Sequence, residues 1–83
     1  MAMQTQFIVQ PYFETSRGAL AALPAIAARD AGHAQRLFSQ QRRVAAGVIA
    51  FSRCGDPETG DYEDAVVLLR WGRIPGDEGV EAA

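Results

Sequence analysis

The run Ala65-Val66-Val67-Leu68-Leu69-Arg70-Trp71 constrains this chain more than any other segment, because the strand it predicts is apolar on both faces. Side chains alternate across a strand, which sends Val67, Leu69 and Trp71 one way and Val66 and Leu68 the other. An 83-residue chain with one clear helical pattern can cover only one face of a sheet by itself. The other face is therefore expected to meet a second copy or a different protein.

Nothing else in the composition supplies an alternative staple. Cys54 is the only cysteine and His33 the only histidine, so one chain can form neither an internal disulfide nor a Cys/His zinc site with four ligands. Oligomerisation is the common remedy for a small chain that lacks both. The net charge of -2 argues against general polyanion binding, which needs a concentrated positive field. All eight basic residues are Arg, a bias that fits a GC-rich genome as well as any functional demand.

The first residues lack the basic and apolar regions of a signal peptide. The alanine-rich stretch at 19–28 is too short to cross a bilayer, is broken by Pro24, and is bracketed by Arg17 and Arg29. No membrane anchor is expected, and a lone cysteine suits a reducing cytoplasm.

Along the chain, residues 6–14 read as a strand in which Phe7, Val9 and Phe13 alternate with Gln6, Gln10 and Glu14. Pro11 cannot donate to a ladder, so this strand is an edge or Pro11 sits where its missing N–H faces solvent. Thr15-Ser16-Arg17-Gly18 predicts a turn. Residues 19–28 read as an irregular edge strand followed by a loop. Asp30 is a natural N-cap for a helix whose apolar side carries Ala31, Ala34, Leu37, Phe38, Gln41, Val44 and Ala45, with Gly47 as the residue that ends it. Residues 48–53 and 62–71 then form a hairpin around the polar loop at 54–61.

This pattern predicts an α+β fold. It is a two-layer sandwich of about four antiparallel strands in ββαββ order, with one helix on one face. A single domain is expected over residues 1–75, with a disordered acidic tail at 76–83. Ile49, Phe51, Val67, Leu69 and Trp71 are the larger set of strand side chains and are expected under the helix. Val48, Ala50, Val66 and Leu68 are then the candidate interface with a second copy.

Chemistry-bearing residues are sparse. The acids Asp56, Glu58, Asp61, Glu63 and Asp64 resemble a calcium loop only superficially. Gly60 comes one position early for an EF-hand, and Val67 stands where the bidentate Glu belongs. Cys54 lies beside Arg53, but no second cysteine could resolve an oxidised form and nothing places His33 near it. His33 is expected to face solvent. Arg36, Arg42 and Arg43 give the helix a basic side of the kind that enters a nucleic-acid groove, with an ordinary solvated face as the plain alternative. No catalytic, metal or cofactor-binding residue is expected, and no cofactor.

From Ala50-Phe51-Ser52-Arg53-Cys54-Gly55-Asp56-Pro57-Glu58-Thr59-Gly60-Asp61-Tyr62 to Leu68, and again at Trp71-Gly72-Arg73-Ile74-Pro75, the chain resembles a group of short uncharacterised bacterial proteins. Their opening Phe-Ile-Val-Gln-Pro-like strand is matched by residues 7–11, and they carry a helix in the middle. The resemblance implies a small stand-alone cytosolic protein and carries over no activity or site residue.

The functional expectation is a small non-enzymatic protein, homodimeric or bound to another protein, acting as an interaction or regulatory module. Two alternatives stand beside it. One is a nucleic-acid-binding regulator using Arg36, Arg42 and Arg43. The other is a ligand-binding or enzymatic site formed only at a dimer interface.

Overall fold

Two long strands, β1 (Gln4–Glu14) and β4 (Gly47–Asp56), run antiparallel through the middle of the sheet, in a register that pairs Gln4 with Gly55 and Tyr12 with Gly47. The computed structural model describes residues 3–75. On one side of β1 lie β2 (Leu20–Ala22) and β3 (Ile26–Ala28); on the far side of β4 lie β5 (Asp61–Tyr62) and β6 (Val66–Gly72). The helix α1 (Ala31–Arg42) joins β3 to β4. The acidic tail expected at 76–83 falls outside the described residues.

This architecture overturns the expected four-strand ββαββ sandwich. The described residues are 49% strand and 16% helix, and six antiparallel strands with one helix form a strongly curled half-barrel. The physical reason lies in the outer strands. Each breaks in two, at Leu23-Pro24-Ala25 on one side and at Glu63-Asp64-Ala65 on the other. Short pieces can follow a bending sheet where one continuous strand would resist it. A β-bulge in the β4–β6 ladder at Ala50/Phe51 adds local twist.

Pro11 shows how the break is built. β1 is an inner strand, not the edge that Pro11 suggested. A residue's N–H and C=O point to the same side of its strand, and the Pro11 carbonyl accepts the Leu23 N–H at 3.0 Å. The missing donor of Pro11 therefore faces the gap between β2 and β3, where Pro24 also interrupts the ladder. The Leu23 carbonyl that faces Pro11 accepts the Gln10 Nε2 amide instead, so the missing donor leaves no acceptor unserved.

The Thr15–Gly18 turn forms as expected, with Gly18 at φ +83° and its N–H on the Thr15 carbonyl. The helix starts where Asp30 caps it: Oδ1 accepts the His33 N–H at 2.7 Å. Its end departs from the sequence reading. The last helical residue is Arg42, with Arg43 as C-cap, and the chain then turns so that Val44 is 81% exposed. Gly47 does not end the helix. It opens β4, where a Cβ would overlap the Arg73 carbonyl. That close approach brings the chain beyond β6 across the end of the sheet and buries Ile74.

The core sits between α1 and the β1/β4 pair. Ala34 and Phe38 of the helix meet Val9, Val48 and Ala50, the last three fully buried, with Phe7, Ile26, Ala28, Leu37 and Leu69 packed around them. On β4 the expected assignment of faces is reversed, while Leu69 of β6 packs against the core as expected. Ile49 and Phe51 lie on the face away from the helix with their register partners Gln10 and Ile8, whereas Val48 and Ala50 lie beneath it. Small Ala34 and Ala50 let the helix approach closely, and Phe38 fills what remains. The bulge also shifts β6 by one residue, so Leu69 pairs with Ala50 and Trp71 with Val48, while Val67 pairs with Phe51.

Candidate functional site

Strand β6 is the part of the sheet with unspent binding capacity. Among the described residues it pairs only with β4, and its outer row of backbone N–H and C=O groups forms an open edge of that part of the sheet. Along that edge Val66 is 59%, Val67 45%, Leu68 41% and Trp71 40% exposed. Four exposed large apolar side chains on one seven-residue strand, with Val66 and Trp71 on the face of Ser52 and Val48, and Val67 on the face of Phe51, leave this edge apolar on both sides. Its only charged residue is Arg70, near its C-terminal end.

Beside the edge runs a groove of about 210 Å³ lined by Ala31, Ala34, Gln35, Ala50, Leu68 and Leu69. It exists because α1 packs mainly over β1 and β4 and makes fewer contacts with β6. Three alanines at that corner leave the space unfilled, and the extra residue at the bulge brings Leu68 into the groove wall. The groove is smaller than the ~300–1,000 Å³ of ordinary small-molecule pockets. Its size suits an inserted side chain better than a metabolite.

The four residues expected at an interface separate into two pairs. Val48 and Ala50 have no exposed surface and serve the core beneath the helix. Val66 and Leu68 stand on the open edge. A face-to-face dimer through the layer of all four would require the helix to leave. Val67, which the sequence reading placed under the helix, lies with Phe51 on the far face, and Trp71, though paired with Val48, is 40% exposed. The signal that could have found them is the order of the segment itself: acids, then five apolar residues, then arginine.

Arg36, Arg42 and Arg43 are all exposed on the outer side of α1. The stretch 31–46 contains no acidic residue. Ser39, Gln40, Arg42 and Arg43 line a shallow polar depression near the helix end. Asp30 is the nearest acid, and its carboxyl is held below the ordinary aspartate range, chiefly by the His33 N–H it accepts and further by Arg29 and Arg36. Desolvation opposes this shift. The group is spoken for as a cap.

His33 is half-buried, and does more than face solvent: its Nδ1 accepts the Arg29 N–H at 3.0 Å, which leaves the proton of a neutral ring on Nε2. Cys54 lies in β4 opposite Thr5, half-buried. Arg53 points to the other face of the strand, where its guanidinium lies 4.6 Å from the Tyr62 ring centroid and its Nε donates to Gln6 Oε1. The loop at 56–61 spends its polar groups on itself. Asp56 Oδ1 accepts the Glu58 N–H, the Asp56 carbonyl accepts the Gly60 N–H, and Thr59 Oγ1 accepts the Asp61 N–H. Among the described residues no three His, Cys, Asp or Glu side chains gather as a metal site.

Comparison with known proteins finds no matching family model, no matching curated protein and no matching solved structure. Among the described residues no helix is long and apolar enough to cross a membrane.

Proposed function

We propose that this chain is a small non-enzymatic protein of the bacterial cytoplasm that works as a homodimeric protein–protein interaction or regulatory module. One observation carries the reading: the β6 edge, unpaired among the described residues, bears exposed Val66, Val67, Leu68 and Trp71 beside an unfilled apolar groove. An edge left long and apolar invites aggregation unless something covers it, and strand addition is the standard way proteins use such an edge. The test is the solution mass by light scattering behind size exclusion, across a range of concentrations. A mass near twice 8.9 kDa supports the reading, and a monomer at every concentration overturns the homodimer.

A second reading is favoured by the acid-free helix. Arg36, Arg42 and Arg43 present a basic face that could follow a nucleic-acid backbone in a regulator of DNA or RNA. It predicts salt-dependent retardation of nucleic acid that disappears in Arg36→Glu/Arg43→Glu. Retardation that survives both substitutions would sink it.

A further inference from the structure

We infer that the occupant of the β6 edge is a second copy of this chain, added antiparallel about a two-fold axis near Val67 and Leu68, so that two half-barrels join through one continuous sheet. This rests on the self-association reading above and specifies its geometry.

Three observations fix the occupant and its direction. The first is the order of charge along the segment. Asp61, Glu63 and Asp64 precede the apolar stretch, and Arg70 and Arg73 follow it. Antiparallel pairing of two copies sets the acidic start of each against the basic end of the other, at both ends of the interface. Parallel pairing would set acid on acid and arginine on arginine. Arg70 and Arg73 already have partners within the chain, Arg73 with Glu14 at 3.3 Å, so it is the sign and order of the charges, not an unpaired cation, that favour the antiparallel copy. Complementarity of this kind selects orientation more than it adds affinity.

The second is that knob and hole lie on the same strand. Leu68 walls the groove, and Val66 projects two residues away with most of its surface exposed. A two-fold axis between them brings the exposed side chains of each copy to the other's groove, which is the self-complementarity an isologous contact requires. The third is the groove's size and apolar lining, with Gln35 its only polar side chain. It accepts a side chain, not a charged peptide tail.

The test uses the full-length chain in a Cys54→Ser background with one new cysteine at a time. Val67→Cys should cross-link to its own copy under mild oxidation or with a short bismaleimide, because paired Cβ atoms across an antiparallel ladder lie about 5 Å apart. Ala22→Cys, on the opposite edge of the sheet, should not. Independently, Arg70→Glu and Asp64→Arg should each weaken self-association about tenfold, since each contact occurs twice across the axis. Mixing the two variants should restore it as a heterodimer. A wild-type monomer at all concentrations overturns both the self-association reading and this one. A wild-type dimer whose Val67→Cys fails to cross-link, and which ignores both charge reversals, keeps self-association and overturns the edge pairing.

Discussion

The two edges of this half-barrel are built to opposite rules. On the β1 side the outermost strands β2 and β3 hold three residues each and are separated by Pro24. On the β4 side, β6 holds seven residues with no proline and one charge. Short strands and proline are how natural sheets stop further strands from adding, so the β2/β3 edge is closed to pairing while the β6 edge is left available. The same chain thus spends sequence on blocking one edge and spends none on the other. The difference teaches that the two edges are not equally guarded against a further strand.

That contrast can be broken or sharpened by substitution. The largest effect should come from Phe38→Ala, which removes the main helix side chain from the core at 6% exposure and costs about 3–5 kcal/mol. Because the core supports both edges, amide exchange should rise on β3 and β6 alike. A rise confined to one edge would show that the two are not held by a common core.

Gly72→Ala comes next and should act on one side only. Gly72 has φ +76°, and a Cβ there would overlap the Ala46 carbonyl oxygen, so strain plus overlap should cost about 2 kcal/mol or more. Thermal unfolding measures the total, and exchange should accelerate on β6 while β2 and β3 stay protected. Val67→Lys is smaller for the monomer, within about 0.5 kcal/mol, because the site is exposed on an edge. Its effect should appear instead as loss of the dimer in light scattering. An unchanged dimer would mean that the edge is not where copies meet.

Pro24→Thr probes the closed edge. It supplies a donor at the break, but Pro11 opposite still has none, so the ladder cannot close and the solution mass should not change. A mass increase would show that Pro24 alone had been blocking that edge. The smallest effect belongs to Asp30. A carboxyl whose folded value is depressed stabilises the fold above the ordinary aspartate range and loses that contribution as pH falls through the depressed value. Asp30→Asn keeps a capping oxygen without the titration, so its thermal stability should vary less with pH in the acid limb than that of the wild type.

Local chemistry is legible in the sequence. The turn at Thr15–Gly18 and the Asp30 cap depend on residues within a few positions of each other and form as expected, whereas the polar loop expected at 54–61 is shorter because β4 continues to Asp56 and β5 begins at Asp61. The acids, apolar run and arginine of residues 61–73 are likewise plain in the sequence, although their meaning as an edge is not. The helix end falls earlier than the pattern suggests because Val44 and Ala45 continue the apolar spacing, while the chain turns so that Ala46 can donate to the Tyr12 carbonyl and Gly47 can enter β4. No local pattern announces a contact between segments so far apart in the chain.

What the sequence determined by itself is one capped helix, the two long strands that flank it at about 4–14 and 47–56, and an apolar last strand, but not the number of strands. Tertiary structure alone decided which face the helix took. Alternation says which side chains share a face, but it is blind to the bulge that shifts β6 by one residue and to the fit of Phe38 over Ala50 and Val48. It also decided that the outer strands break and the sheet curls, because Pro11 and Pro24 matter jointly only once β1 and its neighbours are side by side. Backbone propensity acts within a few residues. Packing and register act between segments that the sequence keeps apart.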